Sequence, residues 1–225
     1  MKKRQGIYAV VIVAVISMFG MQAALADVTV VYKMTYQDGS ASQTIHYADK
    51  QHVRVDMGNV TNKNTTMMQL GDKVYMITGE VVQDTAQLAK MMAMMGKGPQ
   101  KSQTKHAPVK YEDTGRTETI AGITGKVYRF EARGKKHEIV LAKNKDLQEA
   151  VLGLVAITKA SLGTMSDNPM NMAQQDASIK SMAMLRLDDS VRLQSIKHGK
   201  ISDSEFVLPA KPQQLGPGLE GLFGR

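Results

Sequence analysis

The chain has 225 residues, 43% hydrophobic and 22% charged, with no Cys and no Trp. That composition belongs to globular chains and excludes collagen, coiled coil, wholesale disorder and a disulfide-stapled scaffold. The net charge is +8, and the absence of Cys excludes a zinc–thiolate centre, a thiol nucleophile and a lipid anchor carried on an N-terminal Cys.

Lys2, Lys3 and Arg4 form a positive start, an apolar run follows from Ile7 to Phe19, and Ala24-Leu25-Ala26 precedes Asp27. This order of charge, apolar core and small-residue site predicts a signal peptide over 1–26, cleaved after Ala26. The run of 13 residues is shorter than the ~20 that span a bilayer. The expected product is therefore an exported, periplasmic chain that does not span a membrane after cleavage. It keeps 199 residues and a charge of +5, and with no disulfides its stability must come from its core.

From Asp27 the pattern has period two. Val28, Val30, Tyr32, Met34 and Tyr36 share one side of a strand, and Thr29, Lys33 and Thr35 the other. After the turn signal Asp38-Gly39, Ile45 and Tyr47 alternate with Thr44 and His46, then Val53, Val55 and Met57 with His52, Arg54 and Asp56. Met68 and Leu70 lead into Gly71-Asp72, and Val74 to Thr78 return, completing a five-strand antiparallel meander.

Over 81–95 the period changes. Leu88, Met91, Met92 and Met95 fall at i, i+3, i+4 and i+7, one stripe of a helix. A Gly- and Pro-bearing loop runs from Gly96 to Val109, and strands resume at Lys110–Ile120, Lys126–Arg133 and Lys135–Ala142. Asp146 is the expected cap of a helix to about Leu162, whose 150–157 segment, including Leu154, is apolar on every side. A third helix is expected from about Met170 to Arg186, then strands Val191–Lys197 and Ile201–Leu208. After Pro209 the Gly- and Pro-rich composition predicts a disordered tail over 209–225.

About ten strands and three helices, in blocks and not in βαβ alternation, predict an α+β fold with a large antiparallel sheet in one domain over 27–208. The segment Tyr47-Ala48-Asp49 before Val53-Arg54-Val55-Asp56-Met57, the turn Gly71-Asp72-Lys73 before Val74-Tyr75-Met76, and the closing Phe206-Val207-Leu208-Pro209 resemble the periplasmic lipoprotein-carrier superfamily, with its LolA/LolB/LppX-like fold. The stretch Thr117 to Lys126 is similar to an uncharacterised family of secreted bacterial proteins with that presumed fold. The resemblance implies a large curved sheet, a half-open β-barrel with helices packed in its concave mouth, and a lipid or lipoprotein-like ligand. The missing Cys excludes an acyl-anchored acceptor of the LolB type.

In such a trough the residues expected to touch an apolar or amphiphilic ligand are Tyr32, Met34, Tyr36, Val53, Val55 and Met57. Met91, Met92, Met95 and Leu154 would come from the helices above, and Arg54 would make a polar contact at the rim. Methionine suits a surface that repacks around variable ligands, being unbranched and polarizable. The same apolar stripes also fit ordinary core packing. Lys97, Lys101, Lys105, His106 and Lys110 form a basic stretch that would attract an anionic headgroup or phosphate. Aromatics for base stacking are missing nearby, so no nucleic-acid partner is expected.

Hydrolase and phosphate-loop motifs are absent, and the carboxylate pair Asp188-Asp189, read as adjacent strand residues, would point to opposite sides. No catalytic residue, metal or cofactor is expected. Two other readings stay open. One is an envelope structural or interaction module whose sheet edge pairs with another protein. The other is a copper-handling protein using Met91-Met92-x-Met94-Met95 with Met67-Met68 as soft thioether ligands.

Overall fold

A computed structural model of the chain describes residues 27–58, 64–94, 109–132, 134–162 and 179–213, without the side chains of 92, 93 and 162. The expected leader, most of the basic stretch, Met95, the first half of the expected third helix and residues 214–225 lie outside the described residues.

The alternating first block forms β1 (Val28–Tyr36), β2 (Gly39–Asp49), β3 (His52–Met57), β4 (Thr65–Leu70) and β5 (Lys73–Thr78). A further short strand, β6 (Val81–Asp84), occupies the start of the segment expected to be helical. Helix α1 (Thr85–Met94) begins only after it, because Asp84 Oδ1 accepts the free amides of Ala86 and Gln87 at 2.9 and 3.3 Å. Next come β7 (Glu112–Ile120), β8 (Ile123–Ala132), β9 (Lys135–Ala142), α2 (Lys145–Leu162), β10 (Ala183–Leu187) and β11 (Val191–His198). The β7–β8 hairpin closes tightly because Ala121 and Gly122 both take positive φ, 48° and 79°, the backbone twist that a two-residue hairpin turn requires.

All eleven strands join one open antiparallel sheet, ordered β6-β5-β4-β3-β2-β1-β11-β10-β9-β8-β7. Helix α2 packs on β1 to β5 and β10. Its Leu147, Ala150, Val151, Leu154 and Ile157 close over Val28, Val30, Ile45, Tyr47, Val53 and Val55 in one buried cluster. Gly153 lets the helix approach closely, for a Cβ there would lie 3.1 Å from Tyr47 and 3.2 Å from Val53.

The opposite face of β4–β6 holds a second cluster, Met68, Tyr75, Ile77 and Val82, with Leu208 packed against it. The segment carrying Leu208 crosses this far face and reaches the sheet edge, where Gln213 N donates to Val82 O at 2.9 Å.

Four sequence expectations change. Residues 183–186, expected to end a helix, belong to strand β10. Ala183, Met184 and Leu185 are consecutive buried residues, and a short apolar run fits a strand covered on both faces as well as it fits a helix. The expected strand Ile201–Leu208 is instead a loop with a short 3-10 helix over Asp203–Phe206. Ser202 caps that turn, its hydroxyl accepting Ser204 N at 3.4 Å, as short polar side chains compete with ladder bonding. The cap of α2 is Asn144, whose Oδ1 accepts Leu147 N at 2.9 Å. Asp146 lies inside the first turn, where His198 Nε2 is 2.9 Å from its carboxylate. Asp188 and Asp189 sit in the β10–β11 turn, not on a strand.

Candidate functional site

The face that α2 packs against is apolar across β1–β5, and the register shows how its residues are brought together. Tyr47 pairs with both Val28 and Val53, so these three form one row across β1–β3. The described anchors of α2 fall at this end of the strands: Gly153 against Tyr47 and Val53, and Asp146 beside His198, which pairs with Val28. Met34 lies six residues further along β1 and Met57 four further along β3, roughly 20 and 13 Å away at ~3.3 Å per residue.

The residues expected to touch a ligand therefore separate into two groups. Tyr32, Val53 and Val55 are fully buried, and Leu154 faces them from α2 at 6% exposure. Tyr32 is also tied down, its hydroxyl donating to Met184 O at 2.6 Å, and burial pushes its phenol far above its usual range. Met34 and Met57 are half-buried at the margin of the cluster, Met91 of α1 is half-buried, and Tyr36 is 52% exposed. The side chain of Met92 and all of Met95 lie outside the described residues.

Two residues missed in the sequence adjoin this group, Met76 half-buried and Met67 buried. Met67 pairs with Met76 across β4–β5, and Met57 pairs with Thr65 two positions from Met67. Alternation then places Met57, Met67 and Met76 on one face of three adjacent strands. The dipeptide Met67-Met68 could not show this, since only the register tells which sulfur faces α2 and which faces away.

Arg54 is not at the rim of this face. It alternates with Val53 and Val55, so it projects from the far face. There Nε donates to both Asp56 oxygens at 3.0 Å, and Nη1 donates to Glu205 Oε2 at 2.8 Å and to its carbonyl at 3.1 Å. Thr66 Oγ1 donates to Asp56 at 2.6 Å and His46 Nε2 lies 3.4 Å away. Burial by itself would raise the Asp56 carboxyl. The hydrogen bonds from His46 and Thr66 and the guanidinium of Arg54 outweigh it and hold the group down at about 2. This cluster pins the C-terminal segment to β3, helped by an edge-on contact between His52 and Phe206.

At the other end of the sheet lies a cleft of about 820 Å³ lined by Lys110, Arg129, Phe130, Lys136, His137 and four carboxylates. Of the basic stretch noted in the sequence, only Lys110 is among the described residues, and it borders this cleft. The described residues hold no group of three or more His, Asp or Glu placed to bind a metal ion, and no helix among them is long and apolar enough to cross a membrane.

No family model matches the chain, and no curated protein matches it. Among solved structures it is similar to PNGF-II, seen in two crystal forms, with TM-scores of 0.36 and 0.33 and 9% identity. Those alignments cover 84% and 81% of this chain but 30% of PNGF-II, so the chain spans less than a third of that protein. It is also similar to a LolA superfamily protein from Nitrosomonas europaea, with a TM-score of 0.29 and 11% identity over 81% of this chain and 89% of the other. Likeness at this level assigns neither a family nor an activity.

Proposed function

We propose that the protein is an exported, non-enzymatic carrier whose sheet, curved as a half-open barrel, holds an apolar or amphiphilic lipid-like ligand against the face shared with α2. The observation that carries this reading is the half-exposed methionine group Met34, Met57 and Met76, continuous with the fully buried Val53–Val55 core but distant from the end where α2 is anchored. Thioether side chains adapt to ligands of different shape, and covering an acyl chain there is favourable by about 25 cal/mol per Å² removed from water. Tyr32, Val53, Val55 and Leu154 form the packed floor that backs such a site. Met34, Tyr36, Met57 and Met91 are the groups left to meet the ligand.

The test is saturable binding of a fluorescent fatty acid by delipidated protein. Met57→Asp should weaken binding about tenfold or more, since a carboxylate would then be desolvated by the chain. Val55→Asp, placed in the floor, should lose the fold as well. No saturable binding of fatty acid, phospholipid or acylated peptide by folded wild-type protein would remove the reading. Export is tested separately: protein recovered from the periplasmic fraction should begin at Asp27 by intact mass.

A further inference from the structure

The far face of β7–β9 carries an arrangement that lipid binding does not use. Glu112 pairs with Arg129, and Arg129 with Glu138, giving a row of alternating charge across three strands. In the next row Glu131 pairs with Lys136. These side chains, with Lys110 and Asp188, line the cleft of about 820 Å³, a size within the ~300–1,000 Å³ typical of small-molecule sites.

The back wall of the cleft is held in place. Glu138 is gripped by Arg116 and by Arg129 Nε at 3.1 Å, and these hydrogen bonds outweigh desolvation to hold its carboxyl below the usual range. Asp188 Oδ1 accepts Glu138 N at 2.8 Å, and its other oxygen lies 2.7 Å from His137 Nδ1. His137 is stacked on Phe130 with ring centroids 5.1 Å apart. The front is open: Lys110, Glu112, Arg129, Glu131 and Lys136 are all exposed. Among the described residues, Lys110, Glu112, Glu131 and Lys136 make no side-chain hydrogen bond or ion pair.

This pattern selects a class of ligand. The cleft presents Lys110, Arg129 and Lys136 against Glu112, Glu131, Glu138 and Asp188. A phosphate or sulfate would meet four carboxylates, and a simple cation would meet three positive groups. A neutral ligand rich in hydroxyls engages both kinds of group, because each O–H donates to a carboxylate while its oxygen accepts from a lysine or arginine. We propose that this cleft is a binding site for a short neutral saccharide, with Glu131 and Lys136 as its principal exposed contacts and Glu138 and Asp188 as its preorganised wall. The charged row lies on the face opposite the lipid-like site, while Phe130 and His137 of the lining lie on the other face at this end of the sheet.

The test is an NMR titration of the mature chain, 27–225, with chitotriose, maltotriose and cellotriose up to about 10 mM, which reaches millimolar affinities. At least one sugar should shift the resonances of residues 129–138 and 188 saturably. Glu131→Gln and Lys136→Gln, both at exposed positions, should each weaken that binding about tenfold, the scale of one lost charge-assisted hydrogen bond. Inorganic phosphate and the zwitterionic peptide triglycine run as parallel arms. The proposal is overturned if no trisaccharide perturbs the cleft, if affinity is unchanged in both variants, or if phosphate or triglycine displaces a bound sugar. Because neither variant touches Met34, Met57 or Met76, fatty-acid binding should stay at its wild-type level in both.

Discussion

Asp56→Asn probes whether the polar cluster on the far face supports the fold through charge. The wild-type carboxyl is held at about 2 against a usual 3.8, which corresponds to at most about 2.5 kcal/mol. Its side chain is 31% exposed and that of Arg54 27%, so solvent screening reduces the figure to about 1 kcal/mol. The sign follows from the lowered value in the folded state. The stabilisation is complete above the unfolded value near 4 and is lost as pH falls from about 4 to about 2. At pH 7 the variant should unfold about 1 kcal/mol more easily in urea, a melting shift of about 2–4 °C for a chain of this size. Between pH 4 and 2 the gap between variant and wild type should close. If the variant matches wild type at pH 7, or the gap stays constant down to pH 2.5, the carboxylate network does not hold this face together.

Four further substitutions test the packing and the caps by urea or thermal unfolding. Asn144→Ala should cost about 1 kcal/mol through loss of the cap on Leu147 N. Asp146→Ala, which loses only a half-exposed pair with His198, should cost less than about 1 kcal/mol, and equal losses would return the cap to Asp146. Gly153→Val should destabilise by about 1–3 kcal/mol, because its Cβ is already within 3.2 Å of Tyr47 and Val53 and the added methyls have no space. A Val variant as stable as wild type would mean that α2 does not sit tightly on the sheet. Tyr32→Phe should cost about 1–2 kcal/mol by leaving the buried Met184 carbonyl without its donor; a neutral result would mean that water replaces the hydroxyl.

Much of the sheet was legible because alternation is a local property. Val28, Val30 and Tyr32, and again Val53 and Val55, announce a strand with one covered side wherever the strand ends up. The errors lie where local signals are ambiguous. Ala183-Met184-Leu185 is an apolar run too short to show its period, and Val81–Asp84 directly precedes helix α1, whose pattern drew the expected helix forward. Asn144 and Asp146 are both good caps on composition, and only the hydrogen bond to Leu147 N distinguishes them. Alternation already put Arg54 on the wetter face of its strand, and the expected rim contact fails because Asp56 and Glu205 hold it on the far face.

Within each strand, the sequence alone determines which side chains share a face, because successive residues point to opposite sides. It also determines the turn at Gly71, because few residues tolerate its positive φ. It cannot determine which face a helix covers, since β4 and β5 carry apolar residues on both sides. Tertiary structure decided that: α2 took the Val53 face, and the segment around Leu208 took the Met68 face. Contacts between distant residues were decided at the same level, among them Arg54 with Glu205, His137 with Asp188, and Met57 near Met67 and Met76. Each depends on strand order and register, which follow from how the whole chain buries its apolar surface and not from any local run of residues.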